Sequence, residues 1–576
     1  MERIVECVPN FSEGRNKEVI DAIVAAIDKG GAEANCGNPG VKILNVDPGE
    51  ATNRTVVTFI GSPEAVAEAA YAGVKCAGEL IDMRQHHGAH PRSGATDVLP
   101  FIPVSGVTLQ DCAEIARKTA ERIYNELEIP CYCYEAAAFK PQRKNLAVCR
   151  AGEWEALPEK MSDPDRMPDF GPGKYTEKAA VSGATNVGAR DFLIAVNFNL
   201  NTTSTRRANA IAFDVREKGR PKREGDPIVG KIVKDADGKT VMIPGTLKGC
   251  KAIGWYIEEY GIAQVSMNIT DINLTPLHVA FEEVCRAAQA RGLRVTGTEI
   301  VGLVPKRTLI DAGKYFLEKQ QRSTGISEAE IMKIAIKSMG LDDLKPFDPK
   351  EKVIEYLMVD EKESAKAERL VRMSCKDFVN ETASESPAPG GGSVSAYMGA
   401  LGAALGTMVA NLSSHKPGWD SRWKEFSDYA DNGQVLLGKL TALVDEDTAA
   451  FNRIMAALGM PKGTDEEKLA RAQALEDATL YAAQVPLKTM KTAFEVFPLV
   501  KAMACEGNPN SISDAGVGAL AARAAVLGAG LNVKINAGGL KDRAKAEELC
   551  REASDISDAA RAYEKEIMEI IDSKLD

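Results

Sequence analysis

The chain has few of the features that mark secreted, disulfide-bonded or nucleic-acid-binding proteins. Its 12 cysteines form no C-x-x-C pair, and the start MERIVECVPNF lacks a basic segment followed by an apolar stretch. We therefore expect reduced thiols and a cytoplasmic location. The net charge is -11, and no dense run of Lys and Arg occurs in the 576 residues. An acidic chain of this kind is not expected to bind nucleic acid.

Charged residues are also missing from residues 386–414, a segment long enough to cross a bilayer. A membrane anchor or a scaffold built on this segment is therefore one alternative. The segment is mostly Gly, Ala and Ser, however, and it opens with two prolines and three glycines. We expect no membrane partner and instead a buried helix, entered through a glycine loop whose N–H groups could hold an anion. Its close packing would use small residues: Ala396, Gly399, Ala400, Ala403 and Ala404.

What the chain does contain is a change of pattern between its two halves. The first 330 residues alternate β-like runs (RIVECVPNF, VKILNVD, RTVVTFIG, TDVLPFIPV, CYCYEA) with amphipathic helical stretches, and a similar order returns after residue 183. Beyond a charged tract the chain is Ala-rich and helix-periodic. We therefore expect a multidomain fold, with two α/β modules of an α+β sandwich-like kind in the N-terminal half followed by an all-α helical domain. The expected boundaries are 1–180, 181–335, a linker at 336–370, and 371–576.

Three of the five histidines, His86, His87 and His90, lie within five positions of each other. The i, i+4 spacing of His86 and His90 would suit a metal on a helix, but Gly88 lies between them and Pro91 follows. No Glu accompanies the pair as in hydrolytic zinc helices, so we expect no metal. A surface or capping role is a second alternative. We favour acid/base chemistry by one of the three, because imidazole titrates near neutral pH.

A catalytic histidine needs a carboxylate partner, and Asp47 at the end of VKILNVDPG is the candidate. An Asp before Pro-Gly is also an ordinary turn residue. Arg54 and Arg92 could each form a fork onto a substrate carboxylate, or equally a surface salt bridge.

A second candidate carboxylate lies in the helical half. On a helix, Asp447 falls within an apolar stripe, whereas Asp445 and Glu446 point away from it. A carboxylate on a core-facing stripe is costly unless paired, and its pKa is expected to rise, which suits a proton donor. A buried Asp that caps a neighbouring helix is the alternative. The stripe consists of Leu437, Leu440, Val444, Phe451, Ile454 and Leu458.

Longer motifs resemble a known family. VECVPNFSEGRN at 5–16, NVDPG with TNRT, IDMRQHHGAHPRSGATDVLPFIPV at 81–104 and GATNVGARDFLIAVN at 183–197 are similar to glutamate formiminotransferases. SPAPGGGSV, LVDEDTAAF and NVKIN are similar to formimidoyltetrahydrofolate cyclodeaminases. Over nearly its full length the chain resembles the bifunctional formiminotransferase-cyclodeaminase family.

The resemblance implies two reactions in histidine degradation: transfer of a formimino group from N-formimino-L-glutamate to tetrahydrofolate, then ring closure to 5,10-methenyltetrahydrofolate with loss of ammonia. It implies that His90 is the acid/base of the transferase, that Asp47 is its carboxylate, and that Asp447 is the acid of the cyclodeaminase. Substrate and folate contacts are expected at Asn10, Arg54, Arg92, Gly171, Gly183 and Gly188 in the first half, and at Gly390, Gly391, Gly392, Ser393, Asn532 and Asn536 in the second.

The resemblance also implies a homo-oligomer and a polyglutamylated folate, for whose tail Lys248 and Lys251 are candidates. The chain departs from the family pattern at Ala89, where relatives carry Glu, in a slightly longer loop DFGPGKYTEKAAVSGA, and in an apparent insertion at 224–245 that we expect to form a β-hairpin around DADGK. The alternative function is a metal-dependent amidohydrolase that uses His86, His87 and His90.

Overall fold

The computed structural model describes residues 3–34, 40–50, 52–88, 91–171, 173, 175–225, 229–359, 369–386 and 388–575. The chain forms two compact units, one of Met1–Leu309 with Met339–Met358 and one of Ile310–Ser338 with Val359–Asp576. The described strands lie in the first unit, and the second is built from long helices. The predicted multidomain fold, with mixed sheets before a helical domain, is confirmed.

A seven-stranded mixed sheet organises the first part of the first unit. At one edge β3 (Val41–Gly49) pairs with β4 (Arg54–Gly61), which also pairs with β1 (Ile4–Cys7) and β2 (Asn10–Phe11). Both β1 and β2 pair with β5 (Thr96–Ser105), all antiparallel. Parallel pairing then joins β5 to β7 (Thr185–Ala189) and β7 to β6 (Cys131–Glu135). The sheet therefore brings segments that are far apart in sequence to neighbouring positions.

A second, antiparallel sheet follows, with the order β11 (Cys250–Ile257), β12 (Ile262–Ile269), β8 (Ile194–Leu200) and β13 (Val295–Val301). The segment predicted to be an insertion contains β10 (Met242–Ile243), which pairs with β9 (Arg220–Pro221) just before it. It also has the predicted hairpin around DADGK, in which the Asp235 amide donates to the Lys239 carbonyl at 2.8 Å.

Three long helices cover the first sheet because their apolar residues recur at helical spacing, as at Ile20, Ile23 and Ile27. Two further helices accompany the second sheet. The described helices of this half are Lys17–Ala34, Pro63–Leu80, Leu109–Leu127, Leu146–Arg150, Leu157–Ser162, Glu177–Ser182, Thr205–Val215, Leu277–Gln289, Lys306–Lys319, Glu328–Met339, Pro349–Lys352 and Ile354–Met358.

The second unit has one continuous core of Ala, Val, Leu and Phe side chains. Its helices are Cys375–Thr382, Gly391–Ser414, Trp423–Leu458, Asp465–Phe494, Val496–Glu506, Ile512–Gly538 and Arg543–Leu575. Small residues let two of them approach closely, because a Cβ on Gly402 would lie 2.9 Å from the carbonyl oxygen of Gly518. The Gly391–Ser414 helix and the segment Pro509–Gly538 are long and apolar enough to cross a membrane by composition, but 61% and 50% of their apolar windows are buried in this unit.

The predicted domain boundaries stay predictions. Strand β7, at 185–189, belongs to the first sheet although it lies beyond residue 180. Residues 310–338, which the sequence assigns mostly to the second α/β module, lie in the helical unit.

Candidate active sites

Of the histidine cluster, His86 is the buried member, and Ala89 and His90 lie outside the described residues. The His86 side chain is buried, with Nε2 2.9 Å from the Asn53 carbonyl oxygen and Nδ1 3.3 Å from Arg92 Nε. Because the arginine can only donate, Nδ1 accepts and Nε2 carries the proton. Both nitrogens of His86 are therefore in use, which leaves neither for a metal ion.

Arg92 is held on its other side by acidic residues. Its Nη1 and Nη2 atoms lie 2.9 Å from Glu153 and 2.7 Å from Glu155, and the Glu155 hydrogen bond is the main reason that the Arg92 pKa is raised. The guanidinium predicted to bind a substrate carboxylate thus already has two carboxylate partners. In this structure Arg92 serves to fix the end of the histidine loop.

Asn10 and Arg54, both predicted substrate residues, are brought into direct contact by strands β2 and β4. The Arg54 guanidinium donates to Asn10 Oδ1 and lies 3.9 Å from Asp97 Oδ2. Burial lowers the Arg54 pKa to about 10, an effect that Asp97 opposes. Asp97 is buried and also accepts from Arg150. Arg54 and Arg150 therefore flank the buried Asp97 carboxylate, with their side chains 17% and 18% exposed and Asn10 in contact with Arg54.

Asp97, Arg150 and Asn186 were not singled out from the sequence as site residues. Asn186 donates to Ser93 Oγ at 3.1 Å and to the Asp97 carbonyl at 2.8 Å, and the Ser93 amide donates to Asp97 Oδ1 at 3.0 Å. The available sequence signal, for Asp97 and Asn186, was a polar residue inside an apolar strand, as in TDVLPF and TNVGA. Only the sheet pairing shows that they meet.

Asp47 lies within β3, opposite Val56, and not at the strand end as expected. It is exposed on an edge strand, and no described residue forms a hydrogen bond or ion pair with its carboxylate. Its predicted role beside His90 stays a prediction, because His90 lies outside the described residues.

The glycines predicted to contact folate in the first site have packing roles. Gly183 has φ +67° and ends a short helix, and a Cβ there would lie 2.4 Å from Gly94. A Cβ on Gly188 would lie 2.5 Å from the Tyr134 ring, and Gly171 has φ +144°. Their folate contacts stay predictions, since the backbone conformation at Gly171 and Gly183 and the Tyr134 ring at Gly188 explain why glycine is present.

Asp447 lies at the N-terminus of the Gly391–Ser414 helix. This is where the alternative interpretation of the sequence, a buried Asp that caps a neighbouring helix, would place it. Its Oδ2 accepts from Ser393 Oγ at 3.2 Å, and Ser393 Oγ lies 3.2 Å from Thr448 Oγ1. Burial raises the Asp447 pKa, although the Ser393 hydroxyl and amide both oppose the rise. A carboxyl group with a raised pKa is suited to donate a proton.

The glycines before Ser393 are needed so that this helix end can approach the carboxylate. A Cβ on Gly392 would lie 2.1 Å from Asp447 Oδ1, and one on Gly391 would lie 3.2 Å from Asn532 Nδ2. Gly390 is the N-cap of the helix. The predicted residues Gly390–Gly392, Ser393, Asp447 and Asn532 are therefore brought together.

Asn536 serves a different purpose. Its Nδ2 donates at 2.7 Å to the carbonyl of Ala482, which lies four residues before Pro486 within the helix Asp465–Phe494. Because proline has no N–H, that carbonyl has lost its helical donor. Asn536 replaces the donor, so its amide N–H is already engaged. Among the described residues, moreover, no group of three or more His, Cys, Asp or Glu side chains is placed to hold a metal ion.

Three family models match the chain. "Formiminotransferase domain, N-terminal subdomain" matches residues 4–190, "Formiminotransferase domain" matches 195–359, and "Formiminotransferase-cyclodeaminase" matches 374–555.

Individual relatives are similar either to the whole chain or to one half. The formimidoyltransferase-cyclodeaminase of Rattus norvegicus is 42% identical over 542 residues, covering 94% of this chain and 93% of the relative. The glutamate formimidoyltransferase of Streptococcus pyogenes is 41% identical over 318 residues, 55% of this chain and 94% of the relative. The methenyltetrahydrofolate cyclohydrolase of Methylorubrum extorquens is 41% identical over 198 residues, 34% of this chain and 95% of the relative.

Proposed function

Because the chain belongs to the formimidoyltransferase-cyclodeaminase family, we propose that it is a bifunctional folate enzyme with one reaction in each unit. The first unit transfers the formimino group of N-formimino-L-glutamate to tetrahydrofolate. The second closes 5-formiminotetrahydrofolate to 5,10-methenyltetrahydrofolate and releases ammonia. The metal-dependent amidohydrolase is not favoured, since the relatives are folate enzymes and both nitrogens of His86 are hydrogen-bonded.

The transfer step moves an amidine carbon from one nitrogen to another. The attacking amine must lose a proton and the leaving amine must gain one, which a single imidazole can do in sequence. His90 is the residue we assign to this step, with Asp47 to stabilise the cationic amidinium. The hydrogen bonds of His86 and Arg92 support the assignment, because they fix the chain on both sides of His90.

The observation that carries the cyclodeaminase assignment is Asp447, held by Ser393 at a glycine-lined helix end. In this reaction N10 of the folate attacks the amidine carbon and loses its own proton to solvent, and the C–N bond to the departing ammonia breaks as that nitrogen gains a proton. Asp447 in its protonated form supplies the proton, and its raised pKa keeps that form available. Asn532 lies beside Gly391 and donates through Nδ2 to the Gly528 carbonyl at 2.9 Å, and its side-chain oxygen is assigned to folate binding.

The test of both activities follows one product. Mixing the full chain with N-formimino-L-glutamate and tetrahydrofolate should release ammonia and produce the absorbance of methenyl folate in equal amounts. If neither formimino-folate nor methenyl folate forms, the proposal fails. Ammonia release without any folate product, abolished by chelation of metals, would favour the amidohydrolase instead.

We further propose that the folate carries a polyglutamate tail and that Lys248 and Lys251 attract it. Lys251 Nζ lies 3.3 Å from the neutral Asn145 Oδ1, and its charge also acts on the Glu135 carboxylate. The expected result is a lower KM for the polyglutamate than for the monoglutamate. Lys248→Gln and Lys251→Gln should each remove part of that difference, and equal KM values for the two substrates would contradict the proposal.

A homo-oligomer is proposed for the helical unit. The helices Gly391–Ser414 and Ile512–Gly538 pack on one another, and each carries a stripe of exposed apolar side chains at helical spacing. A second copy of the chain is the occupant we assign to this apolar face, because the family resemblance implies a homo-oligomer. The face consists of Leu401, Met408, Leu412, Val517, Leu520, Leu531 and Ile535.

The physiological setting we propose is histidine degradation in the cytoplasm. Formiminoglutamate as the donor substrate supports the first part. The scattered cysteines support the second, since the eleven described ones are all free.

A further inference from the structure

Two cavities in the first unit lie outside both candidate active sites. One, of 340 Å³, lies between the helices Thr205–Val215 and Leu277–Gln289. The other, of 440 Å³, lies between the helix Thr205–Val215 and the segment 220–223 that follows it. Phe213 and Arg220 line both, so the cavities adjoin.

Arginines dominate the lining. Those facing the two cavities are Arg206, Arg220, Arg223, Arg286 and Arg291. The lining contains one carboxylate, Asp214, which contacts both Arg220 and Arg291, while Arg286 pairs with Glu283 at 2.7 Å. Within the described part of the chain, five cationic groups thus face two carboxylates. This excess of positive charge is unexpected in a chain of net charge -11.

Two of these guanidiniums are destabilised by their surroundings. Burial lowers the Arg220 pKa, and the nearby Arg291 lowers it further. The Arg291 pKa is lowered by burial and by Arg207. Asp214 already contacts both guanidiniums, and a further anion bound beside them in the cavity would relieve both effects.

The segment that looks like an insertion builds one wall. Strand β10 pairs Ile243 with Arg220, and Ile243 and Pro244 line the first cavity. Arg223 Nη1 donates to the Gly230 carbonyl at 2.6 Å, which fixes that side chain against the same segment. The segment therefore helps to position the cationic side chains.

We propose that these adjoining cavities bind a small polyanion with two or more closely spaced phosphate or carboxylate groups. Guanidinium forks match both kinds of group, and Phe213 offers an apolar contact to the rest of the ligand. The site is separate from the folate chemistry and does not depend on it.

The test is calorimetric titration of the full chain with inorganic pyrophosphate and with citrate, with ionic strength held constant by NaCl. Saturable binding of one anion per chain is expected. Tighter binding of pyrophosphate would assign the ligand to phosphates, and tighter binding of citrate to polycarboxylates. Absence of saturable binding for both would overturn the proposal.

Two variants locate the site. Arg206→Gln/Arg223→Gln should weaken binding at least tenfold, and so should Ala210→Glu, which adds a carboxylate to the second cavity. The matched control Arg561→Gln removes a charge from an exposed helix surface and should bind as the unaltered chain does. The unfolding midpoint without anion shows that each variant is folded. Unchanged affinity in the folded double variant would refute the assignment.

Discussion

Glu6 is a carboxylic acid that the fold removes from water. Glu6, on β1, is 4% exposed, and burial raises its pKa to about 7, with Arg190 opposing the rise. A raised pKa means that the protonated form fits the folded state better. The stability that protonated Glu6 contributes is therefore fully present below the pKa that Glu6 has in the unfolded chain. It is lost as the pH rises through about 7.

Replacing Glu6 by Gln should remove this pH dependence. A rise from 4.5 to about 7 corresponds to about 3 kcal/mol, so Glu6→Gln should be more stable than the unaltered chain by roughly that amount at pH 8.5. At pH 4.5 the two should be similar. Urea unfolding at both pH values measures this, and a difference that does not change with pH would contradict it.

At the scale of residues, the sequence could suggest candidate positions but not the contacts that their side chains make. From the helical period, the sequence placed Asp447 on a core-facing stripe; Asp447 is half-buried and bound by Ser393, whereas Leu458 of the same stripe is 43% exposed. It could not show that Arg92 is bound by Glu153 and Glu155, some 60 positions away, or that Asn536 donates to Ala482. Such pairings depend on how separate elements pack.

At the scale of elements, the helix Asp465–Phe494 tolerates a buried proline because another helix supplies the missing donor. Asn536→Ala should leave the Ala482 carbonyl without a partner and reduce the free energy of unfolding by about 1–3 kcal/mol. In a Pro486→Ala background the backbone N–H returns to that carbonyl, so the same change should cost less than half as much. A double-mutant cycle by urea unfolding measures this, and equal costs in the two backgrounds would argue against the role.

The N-terminus of the Gly391–Ser414 helix should accept no side chain at Gly392. Gly392→Ala places a methyl group 2.1 Å from Asp447 Oδ1, so we expect at least a tenfold loss of cyclodeaminase rate and about 1–3 kcal/mol of destabilisation. The matched control is Gly438→Ala, at an exposed helical position with open space around it. That change should stabilise the fold by about 1 kcal/mol and keep the rate. If Gly392→Ala behaves like the control, the close approach is wrong.

The five β-like runs named from the sequence correspond to strands β1 to β6, because apolar alternation and turn residues mark them. Strands β7 and β11 were missed: TNVGA is short and carries Gly and Asn, and CKAIGWYI is broken by a glycine. β7 is stabilised by parallel pairing on both sides, with β5 and β6. That is a tertiary effect without a local signal.

At the scale of the whole molecule, the apolar face of the helical unit predicts self-association. Leu531 and Ile535 are 69% and 75% exposed in the single chain. Leu531→Glu/Ile535→Glu should shift the chain to a smaller species in analytical ultracentrifugation, because carboxylates would be buried in the interface. Leu469→Glu, at a similarly exposed residue on another helix, is the control and should leave the assembly unchanged. A double variant that sediments as the unaltered chain does would exclude this face.

The central claim is that two reactions occur at two centres, one in each unit. The most direct measurement follows formimino-folate, methenyl folate and ammonia with His90→Asn, Asp447→Asn and an equimolar mixture of the two. Loss of a general acid or base should slow the affected step by about 10²–10⁴-fold. We predict that His90→Asn forms neither folate product but still cyclises supplied 5-formiminotetrahydrofolate, that Asp447→Asn accumulates formimino-folate without ammonia, and that the mixture produces methenyl folate. Ammonia release by Asp447→Asn at the unaltered rate, or loss of both steps in His90→Asn, would contradict the account.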